Sequence, residues 1–207
     1  MNSPILWYFA DPMCSWCWGF SPVIEALRER YGARLRVALV LGGLRPGERA
    51  ALSAAAREDI LHHWHAVAER TGQPFRFDGA LAPGFVYDTE PASRAVVAVG
   101  ALAPGQIFAM FKAIQHAFYA EGRDVTQPDV LAALAAGCGI DTPRFQPAFD
   151  SDDARAKTRA HFRQARAAGV HGFPALILQQ DDRLTRVGEG CQPRETVERA
   201  IDACLSA

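Results

Sequence analysis

At 207 residues the chain is long enough for one large domain or for a core carrying an inserted subdomain. Apolar residues make up 49% and charged residues 22%, and the formal net charge is −1; this is a globular composition with no basic excess to hold nucleic acid or an anionic membrane surface. No apolar run reaches the length of a membrane span, and the first residues lack the charged start, apolar centre and small-residue cleavage site of a secretory leader, so a cytoplasmic location is expected.

In chain order, Ile5-Leu6-Trp7-Tyr8-Phe9-Ala10 is a short apolar run and reads as a buried strand. Residues 15–31 carry a helical pattern that stops at Gly32, and residues 35–41 form a second strand stopped by Gly42-Gly43. Strand, helix and strand at these lengths make a βαβ unit, which implies parallel pairing. From about Glu48 to Asp150 the pattern changes to helices and loops without a strand. Leu52, Ala56, Ile60, Leu61, Trp64 and Val67 recur near helical spacing over residues 49–70. Residues 73–90 form a long loop rich in aromatics, with Phe75, Phe77, Phe85 and Tyr87 alongside Pro74 and Pro83. Ordered loops of that length are often functional, and this one is expected near the cysteines described below, as part of a helical cap. Further helices are expected at 91–102, 106–120, 128–136 and 143–149, several opening on a proline in the first turn. A helix at 152–168, strands at 175–179 and 184–187 around a turn at Asp181-Asp182, and a helix at 194–205 close the chain. The expected fold is α/β, a βαβ…αββα core made of residues 1–47 and 151–207, interrupted by an all-helical insertion over 48–150.

Chemistry concentrates at the first strand–helix junction. Cys14-Ser15-Trp16-Cys17 puts two thiols two residues apart, with Cys14 at a helix N-terminus. Unpaired backbone N–H groups and the helix dipole favour a thiolate there, and the thiolate is the species that attacks disulfides. The spacing lets Cys17 reach back and close a 14–17 disulfide. A lone C-x-x-C also fits half of a zinc site or two inert thiols. Zinc needs two more ligands, and Cys138 and Cys191 stand at no standard spacing, so no metal is expected. A second feature supports redox chemistry. Gly169-Val170-His171-Gly172-Phe173-Pro174 runs into the apolar strand Ala175-Leu176-Ile177-Leu178. A proline that opens a buried strand is tolerated there and is a candidate cis peptide.

In this order and spacing, the two segments resemble the thioredoxin superfamily, whose active-site proline commonly follows Gly-Val/Ile-x-Gly-x. Pro22, five residues past Cys17, matches the helix-kinking proline of thioredoxins. The helical interruption resembles the DsbA-like branch. Residues 11–20 (Asp11-Pro12-Met13-Cys14-Ser15-Trp16-Cys17-Trp18-Gly19-Phe20), 88–95 and 115–119 are similar to a cytosolic DsbA-family subgroup described as predicted protein-disulfide isomerases. The resemblance covers nearly the whole chain. It implies a thiol–disulfide oxidoreductase in which Cys14 attacks and Cys17 resolves, with no metal or organic cofactor. Its partners are protein or peptide thiols and disulfides, with glutathione a further candidate. Trp16, Phe173 and Pro174 are candidate substrate contacts, an extended chain pairing with the Phe173 backbone as an added strand. Phe173 is larger than the residue more usual before that proline, which bears on substrate preference. A rival reading is a kappa-type glutathione transferase or 2-hydroxychromene-2-carboxylate isomerase; these share the inserted fold but generally place serine where Cys14 stands. A third is a non-catalytic, peptide-binding adaptor.

The remaining polar and thiol residues carry weaker signals. Asp11, three residues before Cys14, is a candidate for proton transfer, and helix capping or plain turn chemistry explains it equally well. Trp18 and Phe20 are either docking surface or core. His62, His63 and His65 look like a metal cluster, but no acidic or cysteine partner is near them in sequence, and a solvated helix face is the simpler account. His171 lies in the proline loop. Cys204 falls on the apolar side of the last helix with Val197 and Ile201 and reads as an inert thiol. Cys138 and Cys191 fall in loops, the latter after the strand next to the proline strand and so near the redox face.

Overall fold

The structure, a computed structural model, describes residues 3–206. Four strands form one sheet: β1 (Ile5–Ala10), β2 (Arg36–Leu41), β3 (Ala175–Gln180) and β4 (Arg183–Glu189), in the order β2-β1-β3-β4. β1 and β2 are parallel, joined over α1 (Ser15–Tyr31). β3 runs antiparallel to β1, and the hairpin β3–β4 turns at Asp181, whose φ is 49°. Helix α8 (Arg194–Leu205) ends the fold. Between β2 and β3 lie α2 (Ala54–Thr71), α3 (Glu90–Leu102), α4 (Ile107–Tyr119), α5 (Pro128–Gly137), α6 (Thr142–Asp150) and α7 (Asp152–Ala167).

Strand alternation sorts the side chains of β1 to two cores. Trp7 and Phe9 face a small cluster with Val40, Ile177 and Ala165 of α7. Leu6, Tyr8 and Ala10 face the larger core, which holds Phe20, Ile24 and Leu27 of α1 and Val197 and Ile201 of α8. A central strand buried on both faces cannot alternate apolar with polar, which is why residues 5–10 are apolar throughout.

The elements follow the sequence reading closely. The first differences are at the start of α2, which begins at Ala54 behind an N-cap from Ser53, whose hydroxyl accepts the Ala56 N–H at 3.1 Å. Residues 73–89 are irregular as expected, apart from an isolated bridge between Ala51 and Val86. Among the described residues no helix is long and apolar enough to cross a membrane.

The register of the sheet positions the site. Phe9 pairs with Ala175, so the C-terminal end of β1 lies beside the N-terminal end of β3. The residues that follow β1, Asp11 to Cys14, are thereby brought against Phe173 and Pro174, although 159 residues separate Cys14 from Phe173.

Candidate functional site

Cys14 is the N-cap residue of α1, with extended backbone angles (φ −95°, ψ 117°). Its N–H donates to the Asp11 carbonyl at 3.1 Å, and its carbonyl accepts the Trp18 N–H at 3.1 Å, so a tight turn delivers the chain from strand to helix. The first turn of α1 contains no acidic side chain to compete for the positive end of the helix. Cys14 Sγ lies 3.6 Å from the carbonyl oxygen of Phe173, and the Phe173–Pro174 peptide is cis. Cys14 keeps 6% of its surface exposed and Cys17 none. Both thiols are free. Burial pushes the Cys17 thiol up, and the neighbouring Cys14 adds to the effect.

The proline loop is held by close packing. The Phe173 ring lies on the backbone of Gly42, where a Cβ would fall 2.1–2.6 Å from three ring carbons. Gly42 donates its N–H to the Ala10 carbonyl at 2.8 Å, one step past the β1–β2 ladder. The two glycines after β2 therefore do more than stop a strand: the first leaves room for the ring of Phe173, and Gly43, at φ 70°, turns the chain beside Phe162.

Asp11 is fully buried. Its carboxyl accepts the Met13 N–H at 2.9 Å and the Leu44 N–H at 2.8 Å, tying the cysteine turn to the segment after β2. Burial pushes the Asp11 pKa from 3.8 up to about 6, against the opposing pull of these N–H groups. Trp16 is half-buried beside the thiols, while Trp18 and Phe20 belong to the core. The Trp18 indole N–H donates to the Pro74 carbonyl at 3.0 Å, and its ring stacks on Tyr119.

The helices and the aromatic loop supply the surroundings. Tyr87 donates its hydroxyl to the Met13 carbonyl at 2.5 Å, so the loop at 73–89 packs directly against the turn that carries Cys14. Trp64, Phe75, Phe118 and Tyr119 form one aromatic cluster behind it. Tyr8 of β1 is also part of the site. Its ring is fully buried beside Cys17, and its hydroxyl has no hydrogen-bond partner among the described residues. Burial raises its pKa well above 10, so it stays protonated.

The structure thus brings together Asp11, Cys14, Trp16, Cys17, Phe173 and Pro174. His62, His63 and His65 are exposed on α2, with His65 stacked on Phe77, and no group of metal-binding side chains occurs among the described residues. His171 is exposed. Cys138 caps α5 and Cys204 lies half-buried on α8. Cys191 is half-buried and near enough to Cys14 for a thiolate there to raise it, although burial raises it more. Tyr8, Gly42 and Tyr87 were not singled out as site residues by the sequence. Tyr8 carries a signal there, since alternation from Leu6 places it on the face of β1 that α1 covers, and Tyr87 lies in the loop expected near the cysteines.

Known proteins agree with this architecture. A family model, the DSBA-like thioredoxin domain, matches residues 5–202. The chain belongs to that family. A protein from Nitrosomonas europaea, provisionally named a protein disulfide isomerase, has a crystal structure that superposes with a TM-score of 0.94; it is 45% identical, over 99% of this chain and 98% of that one. The cytosolic disulfide reductase DsbM from Pseudomonas aeruginosa has a TM-score of 0.80 at 33% identity, covering 98% of this chain and all of DsbM. DsbM is also known in a structure with glutathione. Among curated proteins, the ClpXP adapter protein SpxH of Halalkalibacterium halodurans is 24% identical over 86% of this chain. The chain spans about three fifths of the length of the curated relatives it matches, 59% in that case.

Proposed function

We propose that this member of the DSBA-like family is a thiol–disulfide oxidoreductase that works in the cytoplasm, in the direction of disulfide reduction. The observation that carries the reading is the asymmetry of the pair. Cys14 sits at the helix end, buried but for 6% of its surface, 3.6 Å from the Phe173 carbonyl, and Cys17 lies one turn inside with no exposed surface. A thiolate at Cys14 attacks one sulfur of a substrate disulfide. The substrate S–S bond breaks, one substrate thiolate leaves and takes up a proton, and Cys14 is joined to the other sulfur. Cys17 loses its proton and attacks Cys14 Sγ, which releases the second substrate thiol and leaves the 14–17 disulfide. Two thiols then reduce the enzyme: the first forms a mixed disulfide with Cys14, and the second attacks that thiol's sulfur and departs with it as a disulfide.

Around these steps, Trp16 and the Phe173–Pro174 segment form the surface on which the substrate lies, and Asp11 fixes the cysteine turn while relaying protons. The likeness to DsbM, named a cytosolic disulfide reductase and known with glutathione, supports both the direction and a small-thiol reductant. Both thiols are present, which disfavours the serine-type transferase and isomerase reading. The adaptor reading has its support in the SpxH relatives, named ClpXP adapter proteins.

Reduction of insulin by the purified protein, with glutathione or dithiothreitol as reductant, separates these readings. Wild type is expected to turn over. Cys14→Ser is expected to lose turnover entirely, and Cys17→Ser to accumulate mixed disulfides at Cys14 visible by mass. Turnover that survives Cys14→Ser removes the assignment; a wild type inert toward every disulfide favours the adaptor.

A further inference from the structure

One cation at the mouth of the dithiol has no carboxylate to hold it. Arg70 stands in the last turn of α2, exposed, with its guanidinium 5.8 Å above the ring of Trp16, the residue between the two cysteines. Among the described residues no acidic group or carbonyl lies within hydrogen-bond distance of it. Arg30, Arg94 and Arg194, by contrast, are each paired with a carboxylate. The Arg70 charge also reaches Cys191, where it opposes the burial that raises that thiol. Cys191 is fixed on the other flank, because the N–H of Gly190 donates to the Pro174 carbonyl at 2.8 Å. Arg70 therefore stands near both Trp16, between the two cysteines, and Cys191, beside the proline strand.

This placement is built into the packing of α2 on α1. Gly19 has no side chain, and a Cβ there would fall 2.8 Å from Val67 and 2.9 Å from Thr71, so the last turn of α2 rests directly on α1. Gln73 donates from its amide nitrogen to the Trp18 carbonyl at 2.9 Å and to the Ser21 hydroxyl at 2.8 Å. The bond from Trp18 to Pro74 closes the clamp. The turn that carries Arg70 is held on both sides of its residue, within one helical turn of the cysteines.

We propose that Arg70, seated over Trp16, is a carboxylate-binding subsite that selects small anionic thiols and their disulfides, glutathione being the substrate of that class with two carboxylates. The proposal rests on the redox reading above and adds the recognition that reading lacks. A planar guanidinium binds a carboxylate through two parallel N–H bonds, and Trp16 supplies the apolar face against which a thiol-bearing peptide lies. In the reaction, the glutathione thiolate attacks the 14–17 disulfide at Cys14. A glutathione–Cys14 bond forms and Cys17 leaves as thiolate. A second glutathione attacks the bound glutathione sulfur, so that oxidised glutathione departs and Cys14 is reduced.

The test compares reductants on the oxidised protein. Rates of reduction of the 14–17 disulfide are measured with glutathione and with its diethyl ester, which has the same thiol and no carboxylate. Wild type is expected to prefer glutathione, and added salt to weaken the preference. Arg70→Ala is expected to lower the rate with glutathione about threefold to tenfold and to bring the two reductants level. Arg70→Lys, which keeps the charge without the fork, is expected to restore part of the preference. An Arg70→Ala protein that keeps the wild-type ratio of glutathione to ester overturns the subsite and leaves the redox function standing. A wild-type disulfide that no thiol, dithiothreitol included, can reduce overturns both.

Discussion

Two regions meet at the thiols, and they are built differently. The seam between β1 and β3 places the reacting groups through backbone pairing: register sets Cys14 beside Phe173, and one residue of slippage would point every side chain of β1 to the wrong face. The helices α2 to α6 and the loop at 73–89 reach the same turn only through side chains, by Tyr87 on Met13, by Trp18 on Pro74 and by Gln73 on α1. The difference teaches where tolerance to change lies. Perturbing the seam should cost stability and chemistry together, whereas perturbing the helical side should alter access and selectivity first.

The largest expected effect at the seam is electrostatic. Asp11 has a folded pKa of about 6 against an ordinary 3.8, and burial is the main cause. The neutral carboxyl is the form the fold prefers, so the stability contributed by this group is fully present below about pH 4 and is lost as pH rises through about 6. Two pH units at about 1.4 kcal/mol each give about 3 kcal/mol. Denaturant unfolding of wild type and Asp11→Asn between pH 4 and 8 checks the sign: the stability of wild type relative to the variant should fall across that window. A difference that is flat with pH would mean that Asp11 stays charged when folded, held by Met13 and Leu44.

The second effect tests the seam by crowding. Gly42→Ala puts a methyl group into the ring of Phe173, and overpacking of this kind costs about 2 kcal/mol. The ring must swing away and take the Phe173 carbonyl with it, away from Cys14. A lower denaturant midpoint together with a several-fold slower insulin reduction is expected. Unchanged activity would show that the position of the Phe173 backbone does not matter to exchange.

The seam was also the more legible region. A short apolar run, a C-x-x-C and a glycine-bounded proline before a second apolar run were enough to place β1, α1 and β3, because strand periodicity and turn residues are local signals; that residues 14 and 173 meet came from the resemblance to the thioredoxin superfamily. The Phe173–Pro174 bond is cis as the sequence suggested. The helical side was legible only as helices and a loop. That Tyr87 bonds to Met13 depends on how the loop folds back on the cysteine turn, and that Arg70 stands over Trp16 depends on how α2 packs on α1, whose close approach Gly19 allows. Nothing in the local pattern around residue 70 records a contact with residue 16. Trp18 and Phe20 were ambiguous for the same reason: a helix covered on two sides has no single apolar stripe to read, and the fold buries both.

The smallest expected effect comes from the helical side and decides whether the contrast is real. Tyr87→Phe removes one hydroxyl and keeps the ring in its place among Phe85 and Phe118. The Met13 carbonyl loses its donor, and a single hydrogen bond of this kind is worth about 1 kcal/mol. That loss should fall mainly on the loop, since β1, α1 and β3 stay paired without it. Amide exchange across 73–89 is expected to quicken by about fivefold, with exchange in β1 and β3 changed far less. If Tyr87→Phe costs more stability than Gly42→Ala, or if β1 and β3 loosen as much as the loop, then the loop is a structural member of the seam and the division between reacting groups and surroundings fails.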